Sequence, residues 1–170
     1  MKLTLREKLV LLFHHELKDK FSLNDYRFDT TFAGAMLFEM LELKCLNITQ
    51  GKLIVIGNSK SLSKDLKKVY KKIKSKVKPK KVCYWVALLS ENSKKYRKYI
   101  LKQMSKEKLL TIEKKRYLFF FEKEITHLLI PDLREEIVND LRAVLMEDKK
   151  PTYDEMALIC LIDSADVYRL

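Results

Sequence analysis

The stretch YRKYILKQMSKEKLLTIEKKRYLFFF, from Tyr96 to Phe121, changes its period twice, and its reading decides the fold. Ile100, Leu101 and Met104 recur at helical spacing. Leu110 and Ile112 then alternate with Thr111 and Glu113, and Lys114 and Lys115 form a turn before an apolar strand from Tyr117 to Phe121. The order is helix, strand, turn, strand. About sixty residues earlier the same order occurs in weaker form. There Leu37, Met40, Leu46, Ile48, Lys52 and the strand Leu53 to Ile56 stand where Leu101, Met104, Leu110, Ile112, Arg116 and Tyr117 to Phe120 stand in the later copy. The chain is built on two such units, with the remaining helices packed around them.

The 170 residues, 47% of them hydrophobic, suffice for one domain spanning 1–170 with a real core. Only three glycines and three prolines interrupt the chain, which favours a mainly α protein over a turn-rich sandwich or barrel. Lysine and arginine outnumber acids 35 to 23, a net charge of +12, and a surplus of that size selects a polyanionic partner, nucleic acid or an acidic membrane surface. Cys45, Cys83 and Cys160 are widely spaced among apolar neighbours and read as three reduced, buried thiols. The run Leu9 to Phe13 is too short for a secretory core, and no stretch approaches the roughly twenty apolar residues that span a bilayer. The expectation is a cytoplasmic protein whose membrane contact is peripheral.

Working outward, Thr4 and Glu7 form a capping box for a first helix whose buried face is Leu5, Leu9, Leu12 and Phe13. Glu16 to Asp29 reads as an irregular connection. Asp29, Thr30 or Thr31 then caps a helix bearing Phe32, Met36, Leu37, Met40 and Leu41, with Gly34 suited to a close helix contact. The first strand pair, Cys45 to Ile48 and Lys52 to Ile56, turns at Gln50 and Gly51. Lys60 to Lys81 holds eleven lysines and one acid, interleaved with Leu62, Leu66, Val69, Ile73 and Val77 at steps of three and four. A disordered tail has no need of such a stripe, so this is an amphipathic helix. Val82 to Leu89, with Trp85, reads as a buried helix. Beyond the second unit, Asp132 and Glu135 form another capping box, Pro151 breaks the helix that follows, and a last helix covers about Asp154 to Tyr168, apolar nearly all round.

Catalytic patterns do not emerge. Three glycines leave no room for a phosphate-cradling loop, and there is no GxSxG, HExxH or cysteine cluster. His14 and His15, adjacent on a helix, point about 100 degrees apart and do not form a metal pair. Glu39, Glu42, Glu135 and Glu136 sit where solvated helix faces put carboxylates. The chain reads as a binding protein without metal or cofactor. Two features remain: the lysine-rich helix, with Lys67, Lys68, Lys71 and Lys72 as an electrostatic face, and the cluster Lys94, Lys95, Arg97 and Lys98 at a helix start, where the backbone adds partial positive charge. Each basic residue near an acidic membrane contributes on the order of 1 kcal/mol.

KLTLREKLVLLF at the start, FAGAMLFEMLELKCLNI, Trp85, LLTIEKKRYLFFF and the late MALICLIDSADVY resemble, in that order, segments of the Golgi phosphoprotein 3 family, above all its shorter prokaryotic members. The resemblance implies a mainly helical domain that binds phosphatidylinositol 4-phosphate, inserts a hydrophobic β-hairpin into the bilayer and, in eukaryotes, acts as a coat adaptor on the Golgi. The family's two helix arginines fall on Lys94 and Arg97. Its third falls on Ala33, and its tryptophan falls in the region Leu23 to Asp25, which has none. The inserting hairpin would be Glu124 to Pro131, with Leu128, Leu129 and Ile130 at its tip, whose burial is worth about 5 kcal/mol before ordering costs. Set against the resemblance, the expectation is a shortened member that lacks the family's basic N-terminus and last C-terminal helices.

The expected fold is therefore a single helical domain with two short helix–β-hairpin units and a protruding hydrophobic hairpin. The expected function is binding of anionic lipid headgroups, with membrane-protein cargo and a homo-oligomer as further partners. The resemblance leaves two alternatives: a scaffold of the same fold with a degenerate lipid site, and a nucleic-acid module, since helix, strand, turn and strand is also the order of a winged helix. Against the latter, the helix before each strand pair is apolar where a reading helix is polar.

Overall fold

The computed structural model describes residues 3–15, 20–21, 25–117 and 121–165. Along them run α1 (Leu5–Phe13), β1 (His14–His15), β2 (Lys20–Phe21), α2 (Asp25–Glu42), β3 (Leu46–Thr49), β4 (Lys52–Val55), α3 (Lys64–Lys74), α4 (Val82–Ser90), α5 (Ser93–Lys106), β5 (Leu110–Tyr117), β6 (Phe121–Leu128), α6 (Asp132–Met146) and α7 (Tyr153–Ser164). The strands form three antiparallel two-stranded ribbons, each pairing neighbours in sequence. The fold is mainly α with short hairpin units, as the periodicity predicts.

The two units, α2 with β3–β4 and α5 with β5–β6, agree in backbone detail. In the first, Lys44 has φ 51°, its N–H donates to the Leu41 carbonyl at 2.9 Å, and the Cys45 N–H donates to Met40 at 3.0 Å. In the second, Lys108 has φ 58°, its N–H donates to Ser105 at 3.2 Å, and the Leu109 N–H donates to Met104 at 2.9 Å. One left-handed lysine thus closes each helix, and the strand starts two residues later, at Leu46 and Leu110.

The first hairpin turns at Gln50 and Gly51, as expected, with φ 51° and 69°, both positive as a two-residue turn of the primed kind requires. The second departs from expectation. β5 runs straight through Lys114 and Lys115, and register sets Lys114 opposite Glu124 and Arg116 opposite Glu122. A Lys-Lys pair supplies neither Gly nor Asn for a tight turn, and Glu124 opposite Lys114 favours the longer pairing. The last pair is Tyr117 with Phe121, and Leu118, Phe119 and Phe120, expected as strand, lie outside the described residues.

The protruding tip expected at Leu128, Leu129 and Ile130 is likewise corrected. Glu124 to Leu128 is strand, Leu128 pairs with Leu110 at the base of the hairpin and packs on the core, and the Leu129 N–H donates to Leu109 at 2.9 Å. Leu129 and Ile130 are partly exposed, at 51% and 39%, where the ribbon rejoins the body ahead of α6.

α1 stands at the centre together with α2, the helix of the first repeat unit. Leu5, Leu9, Val10, Leu11, Leu12 and Phe13 are all buried, Lys8 alone keeps part of its side chain open to solvent, and α1 packs on α2, α5, α6 and α7. Its capping box forms as expected: Glu7 accepts from the Thr4 N–H at 2.8 Å, and Thr4 Oγ1 accepts from the Glu7 N–H at 3.3 Å. Arg6 is buried by pairing, its Nε donating to Glu39 at 3.0 Å and its Nη1 to Asp65, which fastens α1 to α2 and α3.

Other boundaries shift. Because α2 begins at Asp25, Asp29, Thr30 and Thr31 are interior rather than capping; the two threonine hydroxyls donate to Tyr26 and Arg27 carbonyls at 2.9 and 2.8 Å. A Cβ at Gly34 would stand 2.7 Å from Leu161, so the close helix contact expected there is made with α7. The amphipathic helix α3 buries Leu66, Val69 and Ile73 but stops at Lys74, leaving Val77 97% exposed. α4 buries Trp85 and Leu89 fully and packs Val82, Val86 and Leu88 partly on the core, while Cys83 and Tyr84 stay exposed. Cys45 is buried, but Cys83 and Cys160 are exposed, contrary to three buried thiols. Asp132 makes no capping bond, since Pro131 holds the N-cap position of α6. A capping box does open α7, from Thr152 and Glu155.

Candidate functional site

Three of the four expected basic residues line one cleft. Lys94, Arg97, Lys98 and Leu101 follow helical spacing along α5, and Ile112 of β5 with Glu124 and Thr126 of β6 form the facing wall, around a volume of about 250 Å³. The cleft therefore lies where the second unit's helix meets its own hairpin. Thr126 is held from behind by the buried His14, whose Nε2 lies 2.8 Å from Thr126 Oγ1 and 2.9 Å from its carbonyl.

The charges are partly matched. Arg97 Nη1 stands 3.6 Å from Asp29 of α2, and its guanidinium lies 5.3 Å from the Phe28 ring centroid. Both contacts orient the guanidinium on its way into the cleft. Lys98 Nζ donates to Glu124 at 2.9 Å, and that bond holds the Glu124 carboxyl below its usual range. Glu124 is thus an anion at neutral pH within a basic cleft, and it competes with an incoming anion for Lys98. The start of α5 has no acidic residue in its first turn and no side-chain cap, so the partial positive charge of the helix N-terminus adds to the lysines rather than being offset.

Lys95 points elsewhere. With Lys98 it lines a second cleft on the α3 side of α5, beside Asp65, Lys68, Tyr96, Tyr99 and Lys102. Of the expected electrostatic face, Lys68, Lys71 and Lys72 are exposed and Lys67 is half-buried, and Lys68 alone of the four borders that cleft. Leu128, Leu129 and Ile130 line neither cleft. Ala33, where the resemblance sets a third arginine, is fully buried inside α2, and the side chains of Leu23 to Asp25 lie outside the described residues. Phe28, Asp29, Glu124 and Thr126 went unnoticed in the sequence: Asp29 passed for a helix cap, and the others meet α5 only through the fold.

The family model for Golgi phosphoprotein 3 (GPP34) matches residues 5–170. The chain belongs to the Golgi phosphoprotein 3 family. No curated protein matches it in sequence. Among the described residues no helix of this Golgi phosphoprotein 3 family member is long and apolar enough to cross a membrane. No group of three or more His, Cys, Asp or Glu among them could hold a metal ion.

Proposed function

We propose that this protein is a non-catalytic peripheral membrane protein that binds anionic, phosphoinositide-type lipid headgroups in the cleft of Lys94, Arg97 and Lys98. The observation that supports it most is the shared wall: the cations on α5 face Ile112, Glu124 and Thr126 of the same hairpin whose far end begins at the Tyr117–Phe121 pair. In sequence Tyr117 to Phe121 read Tyr-Leu-Phe-Phe-Phe, so a headgroup in the cleft and an apolar stretch suited to a bilayer belong to one supersecondary unit. The net charge of +12 supplies long-range attraction to an acidic surface. Family membership supports a phosphatidylinositol 4-phosphate headgroup and a Golgi-type membrane. An adaptor role toward membrane-protein cargo, and a homo-oligomer through the exposed Met156 side of α7, are extensions of the same reading.

A second reading has its own observation: Arg97 already has Asp29 beside it, and Lys98 has Glu124. A scaffold of this fold with a lapsed lipid site would keep these pairs as structure. Co-flotation with vesicles containing phosphatidylinositol 4-phosphate, against vesicles of equal charge without it, at low and high salt, separates the two. Preference at matched charge that survives salt supports the headgroup site, because short-range contacts escape screening. Absence of flotation on either vesicle favours the scaffold.

A further inference from the structure

The second cleft shares only Lys98 with the site described above, and its charge is unbalanced. Along α5, Lys95, Lys98, Tyr99 and Lys102 form one stripe, and Lys68 approaches from α3, around a volume of about 220 Å³. The one acid on its lining, Asp65, is buried and already engaged, accepting from Arg6 Nη1 and from Ser63 Oγ at 2.5 Å. Lys98 is bound to Glu124, a residue of the first cleft. Among the described residues no carboxylate lies within ion-pair distance of Lys68, Lys95 or Lys102.

Two hydroxyls complete the lining. Tyr99 Oη accepts from Gln103 at 3.0 Å, which leaves its own O–H to donate elsewhere. Burial, with Asp65 nearby, pushes the Tyr96 phenol up, so it too stays a donor. The lining is therefore ammonium groups and hydroxyl donors at an α-helix that carries no acid in its first turn. Like charges at helical spacing repel one another, and a bound dianion removes that repulsion. The chemistry that fits is a phosphate.

We propose that this α3–α5 cleft is a second anion site that takes the phosphate of a second lipid headgroup, while the first occupies the α5–hairpin cleft. The two sites lie on adjacent faces of α5 and share Lys98. The proposal rests on the reading of the α5–hairpin cleft as a headgroup site for its lipid source, but not for its phosphate chemistry. Two headgroups per chain make membrane binding depend on nearly the square of the phosphoinositide mole fraction, since both sites engage one surface.

The test titrates phosphatidylcholine vesicles carrying graded mole fractions of phosphatidylinositol 4-phosphate. It compares the native chain, Lys95→Gln/Lys102→Gln, Lys94→Gln/Arg97→Gln, and Lys60→Gln/Lys150→Gln as a control of equal charge loss. We expect Lys95→Gln/Lys102→Gln to bind about tenfold more weakly, with a near-linear dependence on mole fraction. A loss no greater than the control's, with the native order retained, overturns the proposal. A second arm follows backbone amides by NMR during titration with inositol 1,4-bisphosphate. Shifts at Lys68, Tyr99 and Lys102 that persist in Lys94→Gln/Arg97→Gln support the site even where vesicles fail to bind, an outcome in which the membrane reading alone is lost. No shifts at those residues, in either background, overturn it.

Discussion

Glu155 shows how much one side chain can do for a helix. It closes the capping box of α7 and accepts from Lys149 at 2.9 Å, and the Thr152 N–H with Lys149 holds its carboxyl down at about 2. Because the folded state lowers this pKa from 4.5, its contribution is complete above that value and is lost as pH falls toward 2. Glu155→Gln is expected to cost about 1–2 kcal/mol near neutral pH in a denaturant titration, and the gap to the native chain should close on acidification through that window. The Thr4-x-x-Glu7 box was read from the sequence and forms, the Thr152-x-x-Glu155 box was not read there, and Asp132 carried the pattern without the geometry, because Pro131 occupies the capping position. Glu124 is the functional counterpart. It competes with any anion for Lys98, so Glu124→Gln should tighten binding to acidic vesicles about fivefold, measured by the lipid concentration at half-binding.

At the scale of elements, the repeat was legible because helix and strand each leave a mark in the order of apolar residues, from Leu37 to Ile56 and again from Leu101 onward, whereas the left-handed joints at Lys44 and Lys108 leave none. Two other things were not legible. The length of the second hairpin depends on cross-strand partners such as Glu124 for Lys114, which periodicity within one strand does not contain. The central place of α1 depends on Arg6 being neutralised by Glu39 and Asp65, residues of two other helices. Arg6→Met leaves those two carboxylates buried together, and a loss of about 3–5 kcal/mol in unfolding free energy is expected. The first joint is equally specific. A Cβ at Gly57 would meet the Lys44 carbonyl oxygen at 2.3 Å, backbone that cannot swing aside, so Gly57→Ala should cost about 1–3 kcal/mol. At Gly51 there is space around a Cβ but φ is 69°, so Gly51→Ala should cost only about 1 kcal/mol in the same titration.

For the whole molecule, the site lies where the second helix–hairpin unit meets the rest of the chain: α5 supplies cations, β6 an acid and a hydroxyl, and α2 the Asp29 and Phe28 that orient Arg97. The cations were legible because a basic cluster at a helix start is conspicuous in sequence, and the family followed from five segments in order. The walls were not, because Asp29 and Arg97 are brought together only by the packing of α2 on α5. The central claim is that binding is a property of that cleft and not of net charge. Flotation on vesicles containing phosphatidylinositol 4-phosphate tests it with two charge-reversed chains of identical net charge, Lys94→Glu/Arg97→Glu and Lys60→Glu/Lys150→Glu. The account predicts that the first loses binding and the second keeps most of it; equal loss in both would contradict it.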